Sequence, residues 1–142
     1  SATWTSRFVI ESDTGNVGIG TAAPGAKLDV AGTLKVSGFI NHGSAISLAI
    51  TTGAVTATGS YVVVTPQGGA VDDLNTVAGG TEGDELFLYA DGTFAVTVKD
   101  GTGAGAFILA GNTDFVMDSI NDVLHCIHNG TEWREVSRSS NS

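Results

Sequence analysis

Two consecutive hexads of the form L-x-V-x-G-x, "LDVAGT" and "LKVSGF", occupy residues 28–39. Every even position from 28 to 40 is apolar or glycine, and a period of two is typical of a β-strand. The period of six superimposed on it indicates a repeat. Each hexad offers only two large aliphatic side chains, and an isolated two-stranded unit is marginally stable in water. The hexads therefore need a partner surface, either in the rest of this chain or in neighbouring copies.

Two arrangements of the hexads remain open. In the first, identical segments of neighbouring chains wind round a common axis, with glycine where backbones approach closely. In the second, residues 31–33 form the loop of a local hairpin that sets Asp29 opposite Lys35. The same aliphatic face needs cover in both. Its residues, which are also our predicted interface between chains, are Leu28, Val30, Leu34, Val36 and Ile40.

Residues 4–11 precede the hexads and alternate in the manner of a half-buried strand. Trp4, Phe8 and Ile10 fall on one face, which is available to add to a partner sheet. Residues 37–45 are rich in glycine, serine and asparagine and indicate a boundary. We therefore expect an N-terminal arm and β neck over residues 1–43 and a separate β-domain, the head, over residues 44–142.

Beyond the boundary, short apolar runs recur at regular spacing between turn-forming segments, which is typical of a β-sandwich or barrel. Evidence for helix is poor throughout the chain. The eight predicted strands are residues 45–51, 60–65, 85–90, 93–99, 106–109, 114–117, 123–129 and 132–137. The predicted fold class is all-β, with a short intertwined arm followed by an antiparallel β-sandwich or barrel.

Two connections in the head have the composition of hairpin turns. A two-residue turn at Asp91-Gly92 predicts that Tyr89 pairs with Phe94. A similar turn at Asn129-Gly130 predicts that Cys126 lies opposite Trp133, with Trp133 closing one end of the core. The Asn-Gly pair also belongs to a formal glycosylation sequence, but the hairpin explains it fully.

The charge of the chain excludes some partners. Six Lys and Arg against fifteen Asp and Glu give 142 residues a formal net charge of −9, which repels a phosphate backbone or an anionic membrane. No run of eighteen apolar residues indicates a membrane span. The single cysteine has no partner for an internal disulfide. We expect no nucleic-acid partner and no membrane insertion.

The strongest candidate for chemistry is the stretch HCIH, residues 125–128. On a strand, Cys126 and His128 share a face, as metal ligands or a catalytic pair do. No second ligand pair follows at zinc spacing, and His42 lies in a loop, so we interpret the stretch as a buried cysteine with two histidines near a turn. The sequence predicts no enzyme, no cofactor and no metal site.

Two further kinds of segment suggest ligands without matching a known motif. Acidic residues cluster at Asp72-Asp73, at residues 82–85 and at Asp118 with Asp122, but none has the spacing of a calcium loop. Residues 101–105, GTGAG, lack the pattern of a phosphate-binding loop and precede no helix. We interpret the carboxylates as turn caps and the glycine segment as a loop tip.

Residues 15–38, GNVGIGTAAPGAKLDVAGTLKVSG, resemble the segment GNVGIGT-x-x-P-x-x-KLDV-x-G-x-L-x-V-x-G of bacteriophage tail fibres and other virion fibre proteins. The stretch that begins DDLNTVAGG at Asp72 is similar to a β-domain that often ends phage fibre and structural proteins. The first motif also occurs in bacterial surface proteins, whereas the second is more restricted to phages. Together they cover most of residues 15–138.

This resemblance implies a homotrimer on the virion surface, with an intertwined β neck and a compact distal head. It implies other virion proteins as partners, and a host glycan or protein as a further one, and it carries over no catalytic residues. Tail fibres usually have long shafts and an anchoring region, whereas this chain has one neck's length before the head. We therefore expect either a fragment of a fibre or a short decoration or spike protein.

Three hypotheses follow. The first is a trimeric fibre or spike whose head binds the host through loops at residues 79–84, 101–105 and 111–112. The second is a capsid decoration protein that docks through Trp4, Phe8 and Ile10. The third is a bacterial enzyme, carbohydrate-binding module or surface module built on His125, Cys126 and His128. Sugar binding would use exposed aromatic side chains, for which Trp133 and Tyr61 are the main candidates.

Overall fold

A computed structural model describes residues 8–141 of the chain. Packing divides the chain into two compact units, Ser1–Asn41 and His42–Ser142, and the division lies within the glycine-rich segment 37–45. The described residues are nearly all-β, as predicted. Their helical segments are two 3-10 turns, Gln67–Gly69 and Ala110–Asn112. Within residues 8–141, then, no helix reaches the length and apolarity that a bilayer span requires.

The first unit contains a small sheet of three short strands, β1 (Phe8–Ile10), β2 (Val17–Ile19) and β3 (Leu28–Val30). Strand β2 lies in the middle, antiparallel to β1 and parallel to β3. Glycine is required within β2 because a Cβ at Gly18 would lie 2.6 Å from the carbonyl oxygen of Thr21. Gly20 follows at a φ of 78°, a conformation that favours glycine.

The two hexads behave differently within this chain. The first hexad supplies β3, whereas residues 31–45 contain no strand. The alternative of a local hairpin over residues 31–33 is therefore wrong for the single chain. The N–H of Gly32 donates to the carbonyl of Val30 at 2.9 Å in a tight turn, and β3 pairs with β2 instead. A two-stranded piece has too little apolar area to hold itself together.

The second unit, the head, contains eleven strands among its described residues. They are β4 (Ile46–Ala49), β5 (Ala54–Thr56), β6 (Tyr61–Thr65), β7 (Asp72–Leu74), β8 (Thr76–Ala78), β9 (Glu85–Ala90), β10 (Val96–Val98), β11 (Phe107–Ile108), β12 (Phe115–Met117), β13 (Val123–His128) and β14 (Trp133–Ser139). All eight predicted strands are present, most of them shorter than predicted. The sequence analysis missed β5, β7 and β8, which have three residues and one buried side chain each.

The strands of the head form three sheets. The largest has six strands in the order β11-β14-β13-β9-β6-β4, the second has the order β12-β10-β7, and the third pairs β5 with β8. The chain passes from β6 in the first sheet through β7 and β8 in the other two, and returns to β9 beside β6. The chain therefore winds once round the core, through all three sheets, and does not fold back on itself as in a hairpin.

This winding corrects the prediction of antiparallel pairing. Antiparallel pairs occur at β9–β13, β13–β14 and β10–β12, but β4, β6 and β9 run parallel to one another, as do β5 and β8, β7 and β10, and β11 and β14. The physical reason is that the glycine-rich turns carry the chain round corners between sheets. A strand that follows a full circuit has the same direction as the strand beside which it lies.

The Asp91-Gly92 turn is one of these corners, and the hairpin predicted there is wrong. Strand β9 belongs to the six-stranded sheet, whereas β10 belongs to the three-stranded sheet. Leu88 on β9 and Val96 on β10 are both fully buried, so they face the core from two sheets. A two-residue hairpin would have placed the two strands side by side in one sheet.

The Asn129-Gly130 hairpin is confirmed, but its register is different from the predicted one. Four residues, 129–132, connect β13 to β14, so that His128 pairs with Trp133 and Cys126 pairs with Glu135. The side-chain oxygen of Asn129 accepts hydrogen bonds from the N–H groups of Thr131 and Glu132, at 2.9 and 2.7 Å. These bonds lengthen the turn by two residues and shift the pairing.

The core lies between the sheets and contains one side of each long strand. Trp133 closes one end of it, as predicted, with 2% of its surface exposed. Its indole N–H donates to the carbonyl of Val77 at 2.8 Å, which satisfies its only polar atom. The fully buried large side chains are Ile50, Val62, Val64, Leu74, Val77, Leu86, Leu88, Val96, Val98, Phe107, Met117 and Leu124.

Candidate assembly and recognition surfaces

The predicted interface between chains is uncovered within the single chain. Leu28 on β3 is 54% exposed, and Leu34 and Ile40 beyond it are 65% and 66% exposed. Val36 is also exposed and Val30 is half-buried. Single exposed aliphatic residues are common, but five large aliphatic residues within residues 28–40, four of them exposed, indicate a binding surface or an aggregation hazard. The row has the chemistry of an assembly surface, and its occupant stays a prediction.

The predicted attachment face is described in part. Phe8 and Ile10 lie on one side of β1, and both are more than half exposed, with Val9 between them half-buried on the other side. Trp4, the third residue of this face, lies outside the described residues. An exposed Phe and Ile two positions apart suit strand addition to a partner sheet.

The head presents a second apolar surface, the outer face of its six-stranded sheet. Core residues alternate along the central strands with outward residues, and these outward residues are Tyr61, Val63, Thr65, Glu85, Phe87, Tyr89, Val123, His125 and Ile127. Cross-strand register places Phe87 between Tyr61 and His125 and places Tyr89 between Val63 and Val123. We call this set the outer face.

Ring contacts organise the outer face. Tyr61 and Tyr89 meet edge to face, with ring centroids 5.1 Å apart. The imidazole of His125 stacks on Phe87 at 4.4 Å with an interplanar angle of 7°, and His42 lies on the same Phe87 at 5.0 Å. Such contacts hold the rings in defined positions. The outer face is therefore a pre-arranged aromatic surface.

The structure separates the members of the HCIH stretch. His125 is on the outer face, whereas Cys126 and His128 point inward, as the alternation predicts. Burial raises the pKa of the Cys126 thiol to about 12, which suppresses the thiolate that metal binding or nucleophilic attack requires. His128 packs against Trp133 at 4.7 Å, and its Nδ1 accepts a hydrogen bond from the N–H of Gly130. Cys126 and His128 therefore have the geometry of core packing, whereas His125 belongs to the outer face.

The carboxylates of the acidic clusters accept hydrogen bonds from nearby groups, mainly backbone N–H groups. Asp84 accepts hydrogen bonds from the N–H and hydroxyl of Thr81, and Asp72 accepts one from the N–H of Gln67. Asp122, which is fully buried, accepts the N–H groups of Asp118 and Ser119 within its turn. Among residues 8–141, no three His, Cys, Asp or Glu side chains converge in a metal-binding arrangement.

The predicted recognition loops are partly anchored. In residues 101–105 the tip is exposed, but the N–H of Gly105 donates to the carbonyl of Thr131 at 2.7 Å. In residues 79–84 the first glycine is also fixed, because a Cβ at Gly79 would lie 2.2 Å from the carbonyl oxygen of Ala57. Gly111 and Asn112 are exposed within a 3-10 turn. Recognition through these loops therefore depends on their central residues.

The two aromatic side chains suggested for sugar binding differ in accessibility. Trp133 is buried in the end of the core, so it is not available as a stacking platform, and that suggestion is wrong. Tyr61 is half-buried on the outer face against Tyr89. A shallow depression beside Trp133 is lined by Ser60, Gly80, Asp84 and Glu85 among others.

Sequence reasoning did not identify the outer face as a surface. Its signal was present in β6, YVVVT, and β9, ELFLYA, which are apolar at both odd and even positions. The predicted hairpin paired Tyr89 with Phe94, whereas Tyr89 lies between Val63 and Val123 on this face. Comparison with protein-family models, curated proteins and solved structures gives no match to this chain.

Proposed function

We propose that this protein is a structural, non-enzymatic component of a bacteriophage particle, a homotrimeric fibre or spike with a head that binds the host surface. The observation that carries the proposal is the uncovered aliphatic row at Leu28, Leu34 and Ile40. The glycine-broken strands around it suit a chain that winds round its own copies. In this proposal the head, in which three sheets surround one core, is the distal body.

Energetics favour an occupant for this row. Burial of a large aliphatic side chain contributes about 1.5–3 kcal/mol, and the row offers five such side chains per chain. In a trimer each chain supplies the cover that the other two lack. A net charge of −9 on each chain keeps such particles soluble and discourages association of one trimer with another.

Immunogold labelling tests the virion assignment. Antibodies against residues 44–142 would be applied to intact particles of the virus whose genome encodes this chain. We expect label on the particle surface, at the tail for a fibre. Label confined to host-cell fractions, with none on purified particles, would contradict a virion protein and favour the bacterial surface module.

A second candidate function is capsid decoration, in which the trimer stabilises the joints between shell subunits. The exposed face of β1, with Phe8 and Ile10, favours it because such a face can add to a sheet of a shell protein. Removal of residues 1–14 would then abolish attachment to capsids and leave the head folded. Attachment that survives the truncation would eliminate this version.

A further inference from the structure

The outer face is apolar where a solvated sheet face is polar. An antiparallel or mixed sheet with one face in water normally alternates core residues with polar residues. The three-stranded sheet does so in part, since its outward row pairs Thr97 with Asp73 and Val116. The corresponding rows of the six-stranded sheet contain tyrosine, phenylalanine, valine and histidine on the three central strands, with serine at their ends. The outer face therefore has the composition of an interface core, which is rich in aromatic residues and poor in charge.

The chain enters the head at this face. His42, the first residue of the head, places its ring on Phe87. The aliphatic row that we propose as the trimer interface ends at Ile40, two residues earlier in the chain. Copies joined through that row therefore have their points of entry to the head held near one another.

The outer face also contains an unsatisfied polar atom. His125 Nε2 is buried without a hydrogen-bond partner among the described residues, and the nearest carboxylate oxygen, Glu85 Oε1, is 3.6 Å away. Its own chain encloses this atom, so a neighbouring copy would meet the face through its rings and aliphatic groups.

From these observations we propose that the outer faces of neighbouring copies of this chain pack against one another, an inference that rests on the trimer proposed above. Branched aliphatic residues such as Val63, Val123 and Ile127 suit a protein surface better than a sugar, which needs several convergent polar groups. On a chain with a net charge of −9, a face with so little charge also lets copies meet without repulsion.

The size of the face sets the strength of the contact. Three strands spaced at about 4.8 Å, each five or six residues long with a rise of about 3.3 Å per residue, cover on the order of 200–300 Å². A stable interface needs about 800 Å² per partner. The heads therefore do not associate on their own, and their contact depends on the high local concentration that the joined neck segments provide.

Cysteine accessibility in the full-length chain tests this inference. Val63→Cys places a thiol on the outer face, and Val116→Cys places the matched control on the three-stranded sheet. The buried Cys126 contributes little background. Because Val63 is half-buried and Val116 is 47% exposed in the single chain, each thiol is compared with itself in two chains. We expect a maleimide to label Val63→Cys about tenfold more slowly in the assembled chain than in a chain that also carries Leu34→Ser and Val36→Ser, because labelling follows thiol exposure. Val116→Cys should label at the same rate in both chains.

Light scattering on the same samples separates the possible failures. A trimer in which Val63→Cys labels as fast as in the chain with Leu34→Ser and Val36→Ser overturns the contact between heads and leaves the proposed function intact. A monomeric parent chain overturns the trimer and this inference together. If Val63→Cys labels fast in the trimer and added host-surface glycans slow that labelling, the face binds sugar. This result also overturns the inference. If Val63→Cys fails to fold, Ser47→Cys, on the neighbouring strand opposite Val63, replaces it.

Discussion

Single buried polar residues fix the ends of the head, and Asp122 is the main example. One of its carboxylate oxygens accepts the N–H groups of Asp118 and Ser119, and the other accepts the N–H of Asn141 at 2.6 Å. Burial alone would raise the pKa of Asp122, but the N–H groups of Asn141, Ser119 and Asp118 outweigh it and lower the pKa. The ionised carboxylate therefore anchors the C-terminal segment.

Asp122→Asn should destabilise the head by about 1–3 kcal/mol, because an amide group replaces one acceptor and leaves a buried N–H unsatisfied. Urea unfolding followed by tryptophan fluorescence measures the change. Glu82→Gln, at an exposed acidic residue, is the control and should have no effect. Equal stability of the two variants would contradict the anchoring role.

The same carboxylate predicts a dependence on pH. A folded-state pKa below the unfolded value contributes stability that is present above the unfolded pKa, about 3.9 for aspartate, and is lost as pH falls through the folded pKa. We expect the wild-type protein to lose stability below about pH 4 more steeply than Asp122→Asn does. Parallel acid-unfolding curves for the two proteins would contradict this expectation.

Cys126 should be inert in the native protein, because burial raises its pKa to about 12 and its side chain is fully enclosed. A chromogenic thiol reagent at pH 8 should react with one thiol per chain in denaturant and with almost none without it. Rapid reaction of the native protein would return this cysteine to the list of candidate functional groups.

Among the strands, apolar runs between turn signals predicted position and failed to predict direction. The longer apolar runs, such as β6, β9 and β13, lie where the sequence places them. Strands of three residues, such as β5, are too short to show a period. Parallel pairing was not predictable, because a glycine turn has a similar composition whether it reverses a strand or carries it to another sheet. The outer face was missed for the same reason.

Where the chain passes from one sheet to another, its backbone packs closely against core side chains. Gly80, at the end of the core, is an example. A Cβ at this position would lie 2.4 Å from Trp133 Cζ2 and 2.9 Å from His128 Cδ2. Gly80→Ala should cost about 1–3 kcal/mol through overpacking and should shift the tryptophan emission. Thermal unfolding measures the cost. Gly101→Ala, where a Cβ meets no atom within 4 Å, is the matched control. Equal melting temperatures would contradict tight packing at Trp133.

For the whole molecule, the central claim is that this chain is incomplete without its copies. It has two main apolar surfaces: the aliphatic row of residues 28–40, most of which is exposed in the single chain, and the outer face of the head, most of which is half-buried. The hexad repeat alone predicted the need for a partner at the first surface, because two aliphatic residues per hexad cannot form a core. The second surface required the observed path of the chain through the three sheets.

The most direct test is the solution mass of the full-length chain, measured by light scattering beside that of Leu34→Ser/Val36→Ser. One chain has a mass of 14.4 kDa. The account predicts three times that mass for the parent and a single-chain mass for the variant, while Val116→Ser, an exposed valine elsewhere, leaves the trimer intact. A parent of 14.4 kDa, or a trimer that the hexad substitutions do not dissociate, would contradict it.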